Sequence, residues 1–316
     1  MASGPALAMT AAKSDAVDVR HASGPAATSP QHRSWAGLDL GTPRVMGILN
    51  VTPDSFSDGG RHQGAEAAIA AGLAMAAEGA DIIDVGGEST RPGAQAVTPD
   101  EEQARILPVI RALAAASICV SVDTRNAATM QAAVQAGARI VNDVSGLAHD
   151  PASAGVVAAL GCAVVLMHMR GTPATMNSLA VYQDVVADVR VELQARLDQA
   201  ASAGIRPEQI AIDPGIGFAK TGAQSVALLQ HLTDIAPPAF PILVGVSRKR
   251  FIGALAGEPQ AGKRLGGSLA AALFALSRGA SILRVHDVGA TVQAVRVWRS
   301  LTICSMVMLP SGGALD

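Results

Sequence analysis

Residues 81–123 read DIIDVGGESTRPGAQAVTPDEEQARILPVIRALAAASICVSVD, and this stretch decides the fold. A short apolar run, 81–85, leads into a glycine-rich loop. Thr98 then offers a helix N-cap, Pro99 takes the first helical position and Glu101 stands where a capping box needs it. A helical pattern follows, and a second apolar run, 118–122, closes the unit. Neither run alternates apolar with polar residues, which is the pattern of parallel strands covered on both faces. The unit recurs outward in both directions, with strand-like runs at 45–49, 81–85, 118–122, 139–141, 163–167, 209–212, 242–246 and 281–285. Between them, 66–78 is Ala-rich with Ile69, Leu73 and Ala77 on one face, and 182–203 carries Val185, Val189, Leu193 and Leu197 at helical spacing. Gly79, Gly137, Gly161, Gly204 and Gly279 each precede a strand, where a helix C-cap glycine belongs. Eight such units without an evident linker favour a single-domain α/β protein, a closed (β/α)8 TIM barrel. An open doubly wound sheet fits the alternation too. No GxGxxG follows the first strand and no GxxxxGKS/T occurs, so its common nucleotide-binding versions lose ground.

Composition agrees. The 316 residues are 49% hydrophobic and only 3% aromatic, with Ala and Gly abundant, which suits helices packed closely on a sheet. A formal net charge of −2 argues against a general binder of nucleic acid or anionic membrane, although local positive charge can serve one anionic ligand. Cys119, Cys162 and Cys304 are widely separated without CxxC spacing, and Cys119 and Cys162, in apolar runs, read as small buried hydrophobes in a reducing, cytoplasmic setting. No apolar run reaches the ~18 residues of a membrane helix. Residues 1–38, rich in Ala, Ser, Gly and Pro, read as a low-complexity, disordered tail without the apolar core of a secretory signal. The barrel is expected over 39–303 and a second tail over 304–316.

The chemistry gathers at the carboxyl ends of the strands, which converge on one mouth of a barrel. In order these positions offer Asn50, Asp84, Asp123, Asn142 with Asp143, His168, Asp213, Ser247-Arg248-Lys249, and Arg284 with His286 and Asp287. Any one Asp or Asn serves as readily as a helix cap; a full round of them points to a site. Asp123, Asn142 and Asp213 are acceptors suited to a ring edge bearing several N–H donors. Lys249, Arg284, His286 and Arg91 are cationic, and strands seven and eight commonly frame a phosphate site. The loop 50–60, NVTPDSFSDGG, exposes Phe56 and reads as a lid. The turn 213–218, DPGIGF, brings backbone close to a ligand and presents Phe218. His168, between two methionines, reads as a packed supporting residue. No zinc spacing occurs; Asn50 with phosphate oxygens would suit Mg²⁺.

The runs MGILNVTPDSFSDGG (46–60), DIIDVGGESTRPGA (81–94), SVDTRN (121–126), IVNDVSG (140–146), LMHMRGTP (166–173), IDPGIGF (212–218), GVSRKRFIG (245–253) and LRVHDV (283–288) together resemble the dihydropteroate synthase family, in order and over about 44–300. The resemblance implies a pterin-binding (β/α)8 barrel, usually a cytoplasmic homodimer. Such an enzyme condenses 6-hydroxymethyl-7,8-dihydropterin pyrophosphate with 4-aminobenzoate in folate synthesis. By position it implies that Asn50 helps hold Mg²⁺ and that Thr90, Arg284 and His286 hold phosphate oxygens. Asp123, Asn142, Asp213 and Lys249 would hold the pterin. Phe56, Arg91, Pro92, Phe218 and Ser247 would shape the aminobenzoate pocket, where sulfonamides compete. Asp123, Lys249, Arg284 and His286 are the implied catalytic groups. Two other readings share the barrel: a methyltetrahydrofolate-binding corrinoid methyltransferase domain, which needs no pyrophosphate site, and a non-catalytic pterin-binding relative.

Overall fold

The computed structural model describes Met1 and residues 34–52, 60–88 and 97–303. The expected tails fall almost wholly outside the described residues, as do Phe56, Thr90, Arg91, Pro92 and Cys304.

Eight parallel strands form one sheet: β1 (Arg44–Asn50), β2 (Ile82–Gly86), β3 (Val120–Asp123), β4 (Ile140–Asp143), β5 (Ala163–Met167), β6 (Ile210–Asp213), β7 (Leu243–Val244) and β8 (Ile282–Val285). They pair in the order β6-β5-β4-β3-β2-β1-β8-β7. A parallel bridge between Ile212 and Ile242 joins the two ends, and the Ile212 amide donates to the Pro241 carbonyl at 2.9 Å. The sheet therefore closes, and the barrel prevails over the open sheet.

Helices alternate with the strands. Pro99–Ala115 starts as its sequence dictates, with the Thr98 hydroxyl accepting from the Glu101 amide at 3.3 Å. The Glu101 carboxylate reaches Arg105 at 2.5 Å instead of returning to the cap, so only half of the capping box forms. Asp184 caps Val185–Ser202 through the amides of Val186 and Ala187. Gly79, Gly137, Gly161, Gly204 and Gly279 all adopt positive φ, as helix-ending glycines should.

The strands look uniformly apolar because outward residues pack beneath helices while inward residues at the base pack against one another. The inward set is Met46, Ile82, Cys119, Ile140, Ala163, Val165, Ala211, Leu243 and Ile282. One or two steps further along the same faces, at the two-residue period of a strand, stand Asp84, Ser121, Asp123, Asn142, Asp213 and Arg284. The barrel interior thus changes from apolar to charged between base and mouth. Cys119 and Cys162 are buried free thiols, as their surroundings suggest, and burial pushes Cys162 up to about 11.

One boundary moves. Trp35, within the expected tail, lies in an antiparallel ladder of Ser34–Trp35 with Leu38–Asp39 and is 1% exposed. Its ring joins the inward base cluster, and its indole N–H donates to the Gln209 carbonyl at 2.9 Å. Residues 34–38 belong to the barrel, because this aromatic ring fills its base.

Candidate active site

Arg284, near the end of β8, is the hub of the mouth. Its Nε donates to Asp84 Oδ2 at 2.6 Å and its Nη2 to Asp123 Oδ2 at 2.7 Å. Asn142 Nδ2 also donates to Asp84 Oδ2, at 3.0 Å. Strand register sets this up: Asp123 pairs with Gly86 on one side and Asn142 on the other, so β2, β3 and β4 bring their ends to one height. Asp84 and Asp123 are buried while Arg284 retains about a fifth of its exposure. Burial raises the Asp123 carboxyl to about 7 against the opposing pull of Arg284. Burial also works to lower Arg284, but Asp84 and Asp123 outweigh it and hold the guanidinium above its ordinary value. Two carboxylates share one cation, so the cluster carries net negative charge when both are ionised.

The second group faces it from β6 and the turn after β7. Asp213 is buried, and its Oδ1 accepts from the Gly215 amide at 2.7 Å. Lys249 donates to the Ile216 carbonyl, and its Nζ lies 4.4 Å from the centre of the Phe218 ring. Burial raises Asp213 while Lys249 opposes the shift; burial lowers Lys249 to about 8 while Asp213 opposes that. Arg284 acts on both groups, so acidic acceptors and basic donors from distant parts of the chain meet around one mouth.

Beside Arg284, the Ser247 hydroxyl accepts from the His286 amide at 3.2 Å and lies 3.0 Å from His286 Nδ1. Ser247 and His286 therefore hold one another in place, the sense of the side-chain bond following the imidazole tautomer. Arg248 adopts φ of 60° and grips Asp287 through two hydrogen bonds, of 3.0 and 2.5 Å, which ties the β7 turn to the end of β8. His168 is 3% exposed and its Nε2 lies 2.9 Å from Glu192 Oε2, in keeping with a supporting role. Asp143 directs both carboxylate oxygens to the amides of Ser145 and Leu147 and is a turn cap. Asn50 ends β1, half-buried, opposite Gly86. No group of three or more His, Cys, Asp or Glu able to hold a metal occurs among the described residues.

The structure brings Asp123, Asn142, Asp213, Lys249, Arg284, His286, Ser247 and Phe218 to one end of the barrel. Phe56, Thr90, Arg91 and Pro92 lie outside the described residues. Two contributors escaped the sequence assignment. Asp84 was visible as a strand-end carboxylate, and its inward spacing from Ile82 was the available signal. Lys220 follows the 213–218 turn with nothing in its neighbours to mark it.

Comparison with known proteins agrees with this geometry. The family described as pterin binding enzyme matches residues 46–286. Dihydropteroate synthase of Mycobacterium leprae is 51% identical over 267 residues, covering 82% of this chain and 94% of that protein. The Escherichia coli enzyme of the same name is 45% identical, covering 82% and 92%. Among solved structures, Xanthomonas albilineans dihydropteroate synthase with 4-aminobenzoic acid superposes with a TM-score of 0.79 at 51% identity, covering 84% of this chain and 96% of that one. The same enzyme in complex with 7,8-dihydropteroate gives 0.76 at 48% identity, covering 84% and 95%. A Yersinia pestis dihydropteroate synthase with a sulfonamide drug complex gives 0.79 at 42% identity, covering 84% and 96%. With its closed barrel, its charged mouth and relatives matched over nearly their full length, this chain belongs to the dihydropteroate synthase family of pterin-binding enzymes.

Proposed function

We propose that the chain joins 6-hydroxymethyl-7,8-dihydropterin pyrophosphate to 4-aminobenzoate, releasing 7,8-dihydropteroate and pyrophosphate. The observation that carries this reading is the Asp84–Arg284–Asp123 cluster standing opposite Asp213 and Lys249 in one mouth. Asp123, Asn142 and Asp213 supply acceptors for the N–H edge of the pterin, each charge-assisted bond contributing ~1.5–3 kcal/mol. Lys249 lies against Phe218, where a flat ring would complete a stack.

In the reaction the C–O bond between the pterin methylene and pyrophosphate breaks. The electron pair leaves with pyrophosphate, beside Arg284 and the braced His286. Positive charge left on the pterin faces Asp123 and Asp84, already placed and partly dry, which is where fixed charge stabilises most. The aminobenzoate nitrogen then forms the new C–N bond and releases one proton to the departing anion or to water. Thr90 on the phosphate side, and Phe56, Arg91, Pro92, Phe218 and Ser247 on the aminobenzoate side, complete the proposed site.

Asn50 fits Mg²⁺ only as one hard oxygen donor completed by substrate phosphate and water, an arrangement Mg²⁺ readily accepts. When bound, the ion would neutralise charge on the pyrophosphate oxygens. Use of Mg²⁺, a homodimer, a cytoplasmic location and competition by sulfonamides belong to the same proposal. No helix among the described residues is long and apolar enough to cross a membrane.

The test is to mix the protein with both substrates and follow pyrophosphate and 7,8-dihydropteroate together. Equal release of both, dependent on each substrate, is expected. Methyl transfer from methyltetrahydrofolate without pyrophosphate release would overturn the reading in favour of the corrinoid alternative.

A further inference from the structure

Lys220 lies under the 213–218 turn and is 7% exposed. Its Nζ stands 2.9 Å from His168 Nδ1, 2.9 Å from the Phe218 carbonyl and 3.3 Å from the His168 carbonyl. Burial lowers Lys220 to about 7 while Asp213 opposes the shift; below that pH the amine is an ammonium with three donors and no acceptor, and these three partners match it one for one. The match also assigns the imidazole. Nδ1 accepts from lysine, hence Nε2 carries the hydrogen and donates to Glu192 Oε2 at 2.9 Å. Burial and then the Lys220 charge lower His168 to about 4, which keeps the ring neutral as this arrangement requires. Arg170 holds the outer side of Glu192 at 3.0 Å and lies 3.8 Å above the Tyr182 ring. A directed chain therefore runs from Glu192 through His168 to Lys220.

Its inner end reaches the turn in two ways. The ammonium binds the Phe218 carbonyl, and it lies 3.2 Å from the position a Cβ on Gly215 would occupy, inside the curve of the turn. The His168 amide donates to the Asp213 carbonyl at 2.9 Å, joining the ends of β5 and β6. Packing alone does not call for a charge here. Burying an ammonium is costly, and an apolar chain of similar length would fill the space better.

We propose that Lys220, oriented by His168 and Glu192, is a positioning residue: its ammonium holds the Asp213–Phe218 turn in the shape that presents Asp213 to the pterin and the Ile216 carbonyl to Lys249. The inference rests on the reading of Asp213 as a pterin ligand.

The test is calorimetric binding of 6-hydroxymethyl-7,8-dihydropterin to the full chain. Lys220→Met and His168→Leu should each weaken binding by about tenfold or more, in the range typical of residues that orient a ligand-holding group. His168→Asn, which restores an acceptor near the Nδ1 position, should recover most of that loss. A role in packing alone predicts the opposite order, with His168→Leu the better variant. Glu192→Ala, on a half-exposed position, keeps the question answerable if a buried variant does not fold, and should cost about threefold or more. Wild-type affinity in whichever of Lys220→Met, His168→Leu and Glu192→Ala fold overturns the proposal. Asp213→Asn is the reference: unchanged binding there removes the pterin reading itself, whereas loss there with normal binding in the others removes the positioning role alone.

Discussion

Arg284 directs Nε at Asp84 and Nη2 at Asp123, so its replacement removes the proposed anion ligand and also leaves two buried carboxylates facing each other. Arg284→Ala should cost about 3–5 kcal/mol of stability, as expected when one partner of a buried ion pair is deleted. It should also weaken the pterin pyrophosphate more than the pterin alcohol. Denaturant titration and calorimetry measure the two effects, and equal losses for both ligands would take Arg284 out of the phosphate site. Asp123→Asn is a milder structural change, because burial already opposes the carboxylate charge. It should lower kcat by about 10²–10³-fold, the range for loss of one preplaced electrostatic group, with little change in melting temperature; normal turnover contradicts the role. The pH dependence follows from the same groups. Asp123, raised to about 7, is protonated below that pH, and Lys249, lowered to about 8, is neutral above it. Pterin binding should therefore rise as Asp123 ionises toward about pH 7 and fall as Lys220, lowered to about 7, and then Lys249 lose their protons, with the acid limb absent in Asp123→Asn and the alkaline limb beginning later in Lys220→Met. A flat profile from about pH 6 to about pH 9 would rule out both assignments. The residue types of the site were legible because each ends an apolar run. Which carboxylates Arg284 would choose was not, since Asp84 and Asp123 lie 200 and 161 positions away along the chain.

The strand boundaries show why elements differ from their sequence outlines. The runs expected at 118–122 and 209–212 become Val120–Asp123 and Ile210–Asp213, each shifted toward the mouth. The apolar runs stop short of the carboxylates Asp123 and Asp213, whereas the ladder continues through them because backbone hydrogen bonds do not depend on side-chain polarity. The run at 242–246 shrinks to Leu243–Val244, and the chain turns through Arg248 at positive φ soon after. The 213–218 turn is tightly constrained. Gly215 has φ of 68°, and a Cβ there would sit 1.9 Å from the His168 carbonyl oxygen. Gly215→Ala should destabilise the protein by about 3 kcal/mol or more, combining left-handed strain with overlap against backbone. It should lower pterin affinity as well. Differential scanning calorimetry with a binding assay checks this, and an Ala variant of normal stability would show that the turn has another conformation available.

At the scale of the whole molecule, base and mouth divide stability from chemistry. Trp35 closes the base, where it packs in the inward apolar cluster and bonds to the Gln209 carbonyl. Trp35→Ala should cost about 3–5 kcal/mol through the cavity it leaves, yet the folded fraction should bind pterin with near-wild-type affinity. Loss of affinity in protein shown to be folded would mean that base and mouth are coupled. The sequence by itself determined the eightfold alternation, the helix starts and stops, and the set of polar residues at the strand ends. All of these depend on neighbours within a few positions, through backbone geometry and side-chain periodicity. Tertiary structure alone decided that the sheet closes between Ile212 and Ile242, that Trp35 belongs to the barrel, and that Arg284 lies between Asp84 and Asp123. It also decided that Lys220 meets His168. Each of these joins residues far apart in the chain, and only the curvature and register of the assembled barrel bring them within bonding distance.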